Sequence, residues 1–288
     1  TLPIEEYLKA VVATEVPRSW PVEALKAQAV AARSYLAAYL ARSQAICATT
    51  ACQVWNPARR SARADAAVDA TRGQLLTYRG EPIWAYYSST CGGQTAAGAQ
   101  PYCQSVRCWL EPGQTLDLRG ESSAAAFWAD DGQPGFCGGS PAYRYRWSLG
   151  GAELAANLRR YLPGIPGVSP RYEADALDAL RDLSVAERAT SGKAARLRIV
   201  GGDGAWDVVG EMSIRSLLRS GAAVQRSANL VIALKRDGAG AVTGIDGRGG
   251  GYGHGIGLCQ FGARGMAERG FDYRAILGHY YQGVELQS

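Results

Sequence analysis

Ile4-Glu5-Glu6-Tyr7-Leu8-Lys9-Ala10-Val11-Val12-Ala13-Thr14-Glu15-Val16-Pro17 is the stretch from which the architecture can be read outward. Ile4, Leu8, Val11, Val12 and Glu15 recur at the spacing of one helical face, which predicts a helix from Ile4 to about Val16 that Pro17 stops. Ser19-Trp20-Pro21 then restarts the helical pattern, with Ser19 or Trp20 as cap and proline in the first turn. Val22, Leu25, Ala29, Ala32, Leu36 and Tyr39 continue it to about Ser43 as a long helix with a stripe of small residues. The chain is therefore expected to open on two antiparallel helices.

Beyond them, Asp65 to Thr71 reads as a short helix ended by Gly73. Gln74 to Tyr78 and Pro82 to Tyr87 read as strands joined by a turn at Arg79-Gly80-Glu81. From Thr90 to about Ser140 the chain is rich in Gly, Gln, Ser and Pro, too long for an ordinary connection and so expected to be stapled or functional. Helices are expected at Ala152 to Tyr161 and Ser213 to Ser220. Strands are expected at Leu183 to Ala189, Ala194 to Val200, Ala205 to Val209, Asn229 to Leu234 and Ala241 to Ile245. A glycine tract from Gly247 to Gly257 leads into helical patterns at Leu258 to Arg269 and Tyr273 to Gln282. The expected fold class is α+β: a helical and mixed-sheet catalytic lobe over 1–140, a second, smaller α/β lobe over 141–245, and 246–288 as a glycine-rich substrate wall with helices returning to the first lobe. At roughly 150 residues per domain, 288 residues make about two.

Hydrophobic residues make up 47% and charged residues 20%, a globular balance that argues against disorder. No run of about 18 apolar residues is present, so no helix is expected to span a membrane. A chain that starts at Thr1 carries no signal peptide, which says nothing about export, and any membrane contact is expected only through a segment preceding it. Thirty-one basic against 26 acidic residues leave a net charge of +5 without clustering, so no nucleic-acid partner is expected.

Of the seven cysteines, Cys47 and Cys52 enclose four residues, and Cys91, Cys103, Cys108 and Cys137 fall in the irregular region. In an oxidising compartment this suggests three disulfides: Cys47 with Cys52, and two among the other four in any of three pairings. Cys259 would stay unpaired. A four-thiolate zinc site at Cys91, Cys103, Cys108 and Cys137 is the rival, but the spacing lacks short C-x2-C knuckles. The expectation is of no cofactor and no metal, with that zinc site as a minor alternative.

Two charged residues lie on apolar stripes. Glu15 returns to the azimuth of Ile4, so it is either a helix-end carboxylate reaching water or a shielded general acid, since burial disfavours the ionised form. Arg33, on the apolar side of the second helix, either pairs with a carboxylate to hold helices together or offers a fork to substrate. The two are expected to share a cleft without a tight bidentate pair. His254 sits among glycines, as a neutral imidazole orienting a hydroxyl or as a structural histidine, while His279 reads as packing. The glycine tract has neither G-x-x-x-x-G-K-[ST] nor G-x-G-x-x-G, so no nucleotide is expected, and no G-x-S-x-G elbow or papain-like cysteine motif supports a hydrolytic triad. Glu5, Glu6 and Glu23 read as solvated, leaving Glu15 without a second carboxylate.

Several stretches are familiar together: Leu2-Pro3-Ile4-Glu5-Glu6-Tyr7-Leu8, Val11 to Pro17, Ser19 to Tyr35, Cys52-Gln53-Val54-Trp55, Ala85-Tyr86-Tyr87-Ser88-Ser89-Thr90-Cys91-Gly92-Gly93, Gly253 to Ala263 and Ile276 to Gly283. With them the chain resembles the SpoIID/LytB (stage II sporulation protein D) family over nearly its whole length, least from Arg107 to Asp246. The resemblance implies a lytic transglycosylase acting on peptide-free peptidoglycan strands and forming 1,6-anhydroMurNAc, with Glu15 as acid and then base. It puts Arg33 in the family's required arginine position and makes Tyr86, Ser89, Gly92, Gly93, His254 and Gln260 candidates for glycan binding. It also implies an exported protein, in the periplasm, cell wall or extracellular space. The alternative it carries is a non-catalytic cell-wall module that enhances an amidase. Where relatives often read His-Ser-x-Ser-Gly-Gly, this chain has Ser88-Ser89-Thr90-Cys91-Gly92-Gly93, so a histidine that binds metal in some members is missing and the resemblance brings no zinc with it.

Overall fold

In the computed structural model, residues 2–109, 115–130, 135–172, 177, 179–202 and 204–288 are described. Helix α1 spans Ile4–Glu15 and α2 spans Val22–Leu40. The buried face of α1 begins at Leu8 and runs through Val11 and Val12, while Ile4 is left exposed in the first turn. Helix α2 is the spindle of the lobe. Thirteen of its 19 residues are buried, Ala27, Ala29, Ala31 and Ala32 without any exposed area, and such small side chains let α1, α3 and the closing helices approach it on all sides. Helix α3, Ala62–Ala70, starts where the Ser61 hydroxyl accepts the Ala64 N–H.

Strands β1, Leu75–Tyr78, and β2, Glu81–Pro82, form a hairpin whose turn residues Arg79 and Gly80 both have positive φ, at 55° and 82°. The expected single strand from Pro82 to Tyr87 is broken: after β2 the chain is irregular until β3, Tyr87–Ser88. Helix α4, Glu121–Ala129, lies inside the segment expected to be irregular.

The second core is built from β4 (Tyr145–Gly150), α5 (Gly151–Tyr161), β5 (Val168–Ser169), β6 (Asp182–Arg188), β7 (Ala194–Val200), β8 (Ala205–Val209), α6 (Glu211–Leu217), β9 (Leu230–Arg236) and β10 (Val242–Gly249). Its sheets run β4-β10-β9 and β5-β8-β7-β6, every pairing antiparallel. The chain then returns to the first core through β11 (Leu258–Cys259), α7 (Gln260–Ala267), α8 (Tyr273–Tyr280) and β12 (Glu285–Gln287), which pairs with β1. Strand β11 pairs in parallel with β3, Leu258 opposite Tyr87 and Cys259 opposite Ser88. Helices and small sheets about two cores make the fold α+β.

Two expectations are corrected. Among the described residues only Cys47 and Cys52 form a disulfide; Cys91, Cys103, Cys108 and Cys137 are free. Proximity in sequence misled: Cys103 turns away to pack against Gly98, whereas the β3–β11 pairing carries Cys259 in from the far end of the chain. The first half of the glycine tract is a structural crossing, not an open wall. A Cβ on Gly247 would stand 2.0 Å from the Trp147 ring, and one on Gly251, at φ 93°, would stand 2.8 Å from the Thr90 carbonyl. Arg248, Tyr252 to His254 and Ile256 come toward the surface.

Candidate active site

Glu15 is the last residue of α1, and Val16 behind it is extended and buried. The helix stops there because Pro17 disfavours a helical residue before it. Its side chain therefore leaves the packed face at a rim and is half-buried. One carboxylate oxygen, Oε1, accepts the Val54 N–H at 2.7 Å. The Gln260 amide and the Tyr87 hydroxyl face the same carboxyl, although the Tyr87 hydroxyl completes no hydrogen bond of its own. Burial, the strongest influence, raises the pKa of Glu15 above its ordinary 4.5 and is only partly offset by these donors. None of the ion pairs formed by the described residues includes Glu15.

Several polar side chains on the elements that meet at Glu15 are incompletely bonded. Gln260 Nε2 donates to Gln28 Oε1 at 3.2 Å, while Gln28 Nε2 has no partner. Trp55 Nε1, next along the chain from Val54, and the Tyr87 hydroxyl have none either. A buried polar group left unbonded costs about 1–3 kcal/mol, so these side chains are not arranged for stability alone.

Arg33 is elsewhere. Its Nε and Nη2 grip the two oxygens of Glu5 at 2.9 and 2.7 Å, and Nη1 and Nη2 also reach the carbonyls of Gln74 and Val68. It thus pairs with a carboxylate, but with Glu5 rather than Glu15, and the guanidinium is only 4% exposed. Ten residues at 1.5 Å rise separate Glu5 from Glu15, so the pair is at the opposite end of α1, about 15 Å away. The expected shared cleft is not formed. Glu5, Glu6 and Glu23 are not free in solvent either: Glu6 meets Lys9 and Arg60, and Glu23 meets Lys26 and the Tyr273 N–H.

The other candidates divide. Gln260 is brought to Glu15 by the first turn of α7. His254 accepts the Ile256 N–H on Nδ1 at 3.0 Å and meets the Tyr87 backbone carbonyl with its other nitrogen; burial keeps it neutral, below its ordinary 6.5. Tyr86 stands edge-on to His254 with ring centroids 6.1 Å apart and stacks with Trp84. Ser89 offers a half-buried hydroxyl near that of Thr90, and its carbonyl accepts the Phe261 N–H. Gly92 and Gly93 are buried, and Gly92, at φ 77°, has its would-be Cβ 2.8 Å from Gly250, so its place in the fold is a backbone crossing. His279 packs edge-on against Phe136 and Tyr280, as expected. Val54, Tyr87 and Gln28 were not singled out in the sequence. Their signal was only that they stand inside the recurring stretches, with no oddity of pattern to mark them.

The segment that supplies α1, α2 and the Val54 N–H matches a family model described as stage II sporulation protein, SpoIID, over residues 1–78. Over this segment the chain is similar to the SpoIID family. Residues 101–257, which contain the second core, match a domain of unknown function, DUF8618. Over 98% of its length the chain is 29% identical to the amidase enhancer of Bacillus subtilis and spans 40% of that protein. Stage II sporulation protein D of the same organism is 26% identical over 99% of the chain, which spans 74% of it. An uncharacterized protein of Brachyspira hyodysenteriae is 29% identical over 99% of the chain, which spans 67% of it.

Proposed function

We propose that this protein is a lytic transglycosylase of peptidoglycan, acting outside the cytoplasm on MurNAc–GlcNAc strands from which the stem peptides have been removed. The observation that carries this reading is one shielded carboxyl, Glu15, with a raised proton affinity and no ion pair among the described residues. Protonated Glu15 gives its proton to the glycosidic oxygen as the C1–O bond of MurNAc breaks. The resulting carboxylate takes the proton of the muramyl C6 hydroxyl, whose oxygen closes on C1 to make the 1,6-anhydro ring. The proton lent in the first step returns in the second, and no water is consumed. A second carboxylate is therefore unnecessary, in contrast to the two that hydrolysing glycosidases use. Gln260 and Tyr87, which face the carboxyl, hold it in place for the transfer.

The test is mass spectrometry of denuded glycan strands incubated with the protein. Anhydro ends made by the wild type and absent with Glu15→Gln, at unchanged circular dichroism, are expected. Wild type that makes none, or full activity of the variant, rejects the mechanism. The likeness to a protein named amidase enhancer supports a second reading, a module that binds the cell wall and stimulates an amidase. It requires cosedimentation with cell walls and amidase stimulation that survives Glu15→Gln.

A further inference from the structure

Four thiols that sequence spacing does not group meet in the first core. Cys91 follows β3, Cys108 and Cys137 come from the long connection on either side of α4, and Cys259 caps the start of α7. All four are buried, and their sulfurs lie within 4.8 Å of one another. The arrangement is a cluster, not two pairs. Cys91 Sγ and Cys137 Sγ are 3.7 Å apart, far from the roughly 2.05 Å of a disulfide. Four zinc–sulfur bonds of about 2.3 Å in a tetrahedron place the sulfurs about 3.8 Å apart, which the Cys91–Cys137 separation of 3.7 Å matches and the 4.8 Å limit on the whole set allows.

We propose that Cys91, Cys108, Cys137 and Cys259 hold one zinc ion in a closed four-thiolate site. It involves no histidine and replaces Cys103 of the sequence-based set with Cys259. The surroundings fit a cluster that carries negative charge. Cys259 Sγ accepts the N–H groups of Cys91 at 3.2 Å and Gly262 at 3.3 Å, the second in the first turn of α7, and the Tyr280 hydroxyl stands 3.1 Å from Cys108 Sγ. Space is reserved as well: a Cβ on Gly262 would lie 1.9 Å from the Tyr280 oxygen and 2.7 Å from Cys108 Sγ. With four protein ligands the ion has no open position for water or substrate, so its work is to hold structure. What it holds is specific. Cys259 immediately precedes Gln260, which faces Glu15, and Cys91 lies three residues beyond β3, so the ion ties both of these segments to the long connection. The inference does not depend on the proposed reaction.

The experiment is metal analysis of the purified chain without added metal, beside two variants. One zinc per chain is expected for wild type and for Cys103→Ala, and none for Cys259→Ser. Because Cys259→Ser can fail to fold, cobalt is exchanged into the wild type, where intense thiolate-to-cobalt absorption with tetrahedral visible bands is expected. Metal-free protein whose alkylated mass shows two disulfides besides Cys47–Cys52 overturns the site. So does metal-free protein with all five remaining thiols alkylated, or zinc retained by folded Cys259→Ser.

Discussion

The two ends of α1 carry a glutamate each, and they are treated in opposite ways. At the first end Glu5 is locked by the Arg33 fork and receives further support from the Gly73 N–H. At the other, Glu15 has one strong backbone donor, no ion pair among the described residues, and a Tyr87 hydroxyl beside it that completes no hydrogen bond. A carboxylate paired with a guanidinium is stabilised as an anion and has no proton to give. One that is shielded without a cation keeps its proton and can hand it on. The same residue type on one helix is thus a strut at one end and a candidate acid at the other, and the difference lies in what faces it.

The largest effect should come from Glu15→Gln. Loss of general acid–base catalysis costs about 10²–10⁴-fold, so anhydro-product formation should drop by at least the lower figure while the fold survives. Next in size, Arg33→Met should act on stability: breaking a buried ion pair from one side costs about 3–5 kcal/mol. Chemical denaturation should show that loss, with activity per folded molecule near wild type. Unchanged stability with lost activity would return Arg33 to the site and erase the contrast between the helix ends. A smaller effect concerns pH. Because Glu15 binds its proton more tightly in the folded chain than the ordinary 4.5, its contribution is most favourable below that value and declines as pH rises through the raised one. The melting temperature of Glu15→Gln relative to wild type should therefore climb between pH 4 and pH 7, and the catalytic rate should fall on the alkaline side of the same titration. The smallest is Lys9→Gln, which removes the pairs to Glu6 and Asp69; both acids are more than 40% exposed and screened by water, so chemical denaturation should show a loss well below that of Arg33→Met.

Much of this contrast was legible in the chain itself. The 3.6-residue pattern gave α1 and α2 nearly to the residue and marked both Glu15 and Arg33 as charges on apolar faces. It could not say that Glu5 was the partner, because a helix wheel shows azimuth and not which neighbouring helix covers it. Helix α4 was hidden because its N-cap is Gly120, which contributes no side-chain bond, and its ESSAAAFWA sequence lacks a clear apolar stripe. Strand β4 was hidden because what defines it is its pairing with β10, nearly a hundred residues on. Long-range pairing also explains the cysteines. Nothing local distinguishes Cys103 from Cys108, and nothing local links Cys259 to Cys91; only the parallel β3–β11 contact does. Tyr87, Val54 and Gln28 join the site through tertiary neighbours in the same way.

Tyr145 and Gly249 face each other as the outermost pair of the β4–β10 ladder, so the polypeptide enters and leaves the second core through adjacent positions. Everything from one to the other is a graft on a two-stranded stem. A homologue could trade that graft for a shorter or longer one, or for a tight turn, without rethreading the helices around α2, since lengthening a loop costs free energy only as its logarithm. The carboxyl at the end of α1 would then keep its setting while the accessory body beside it changed.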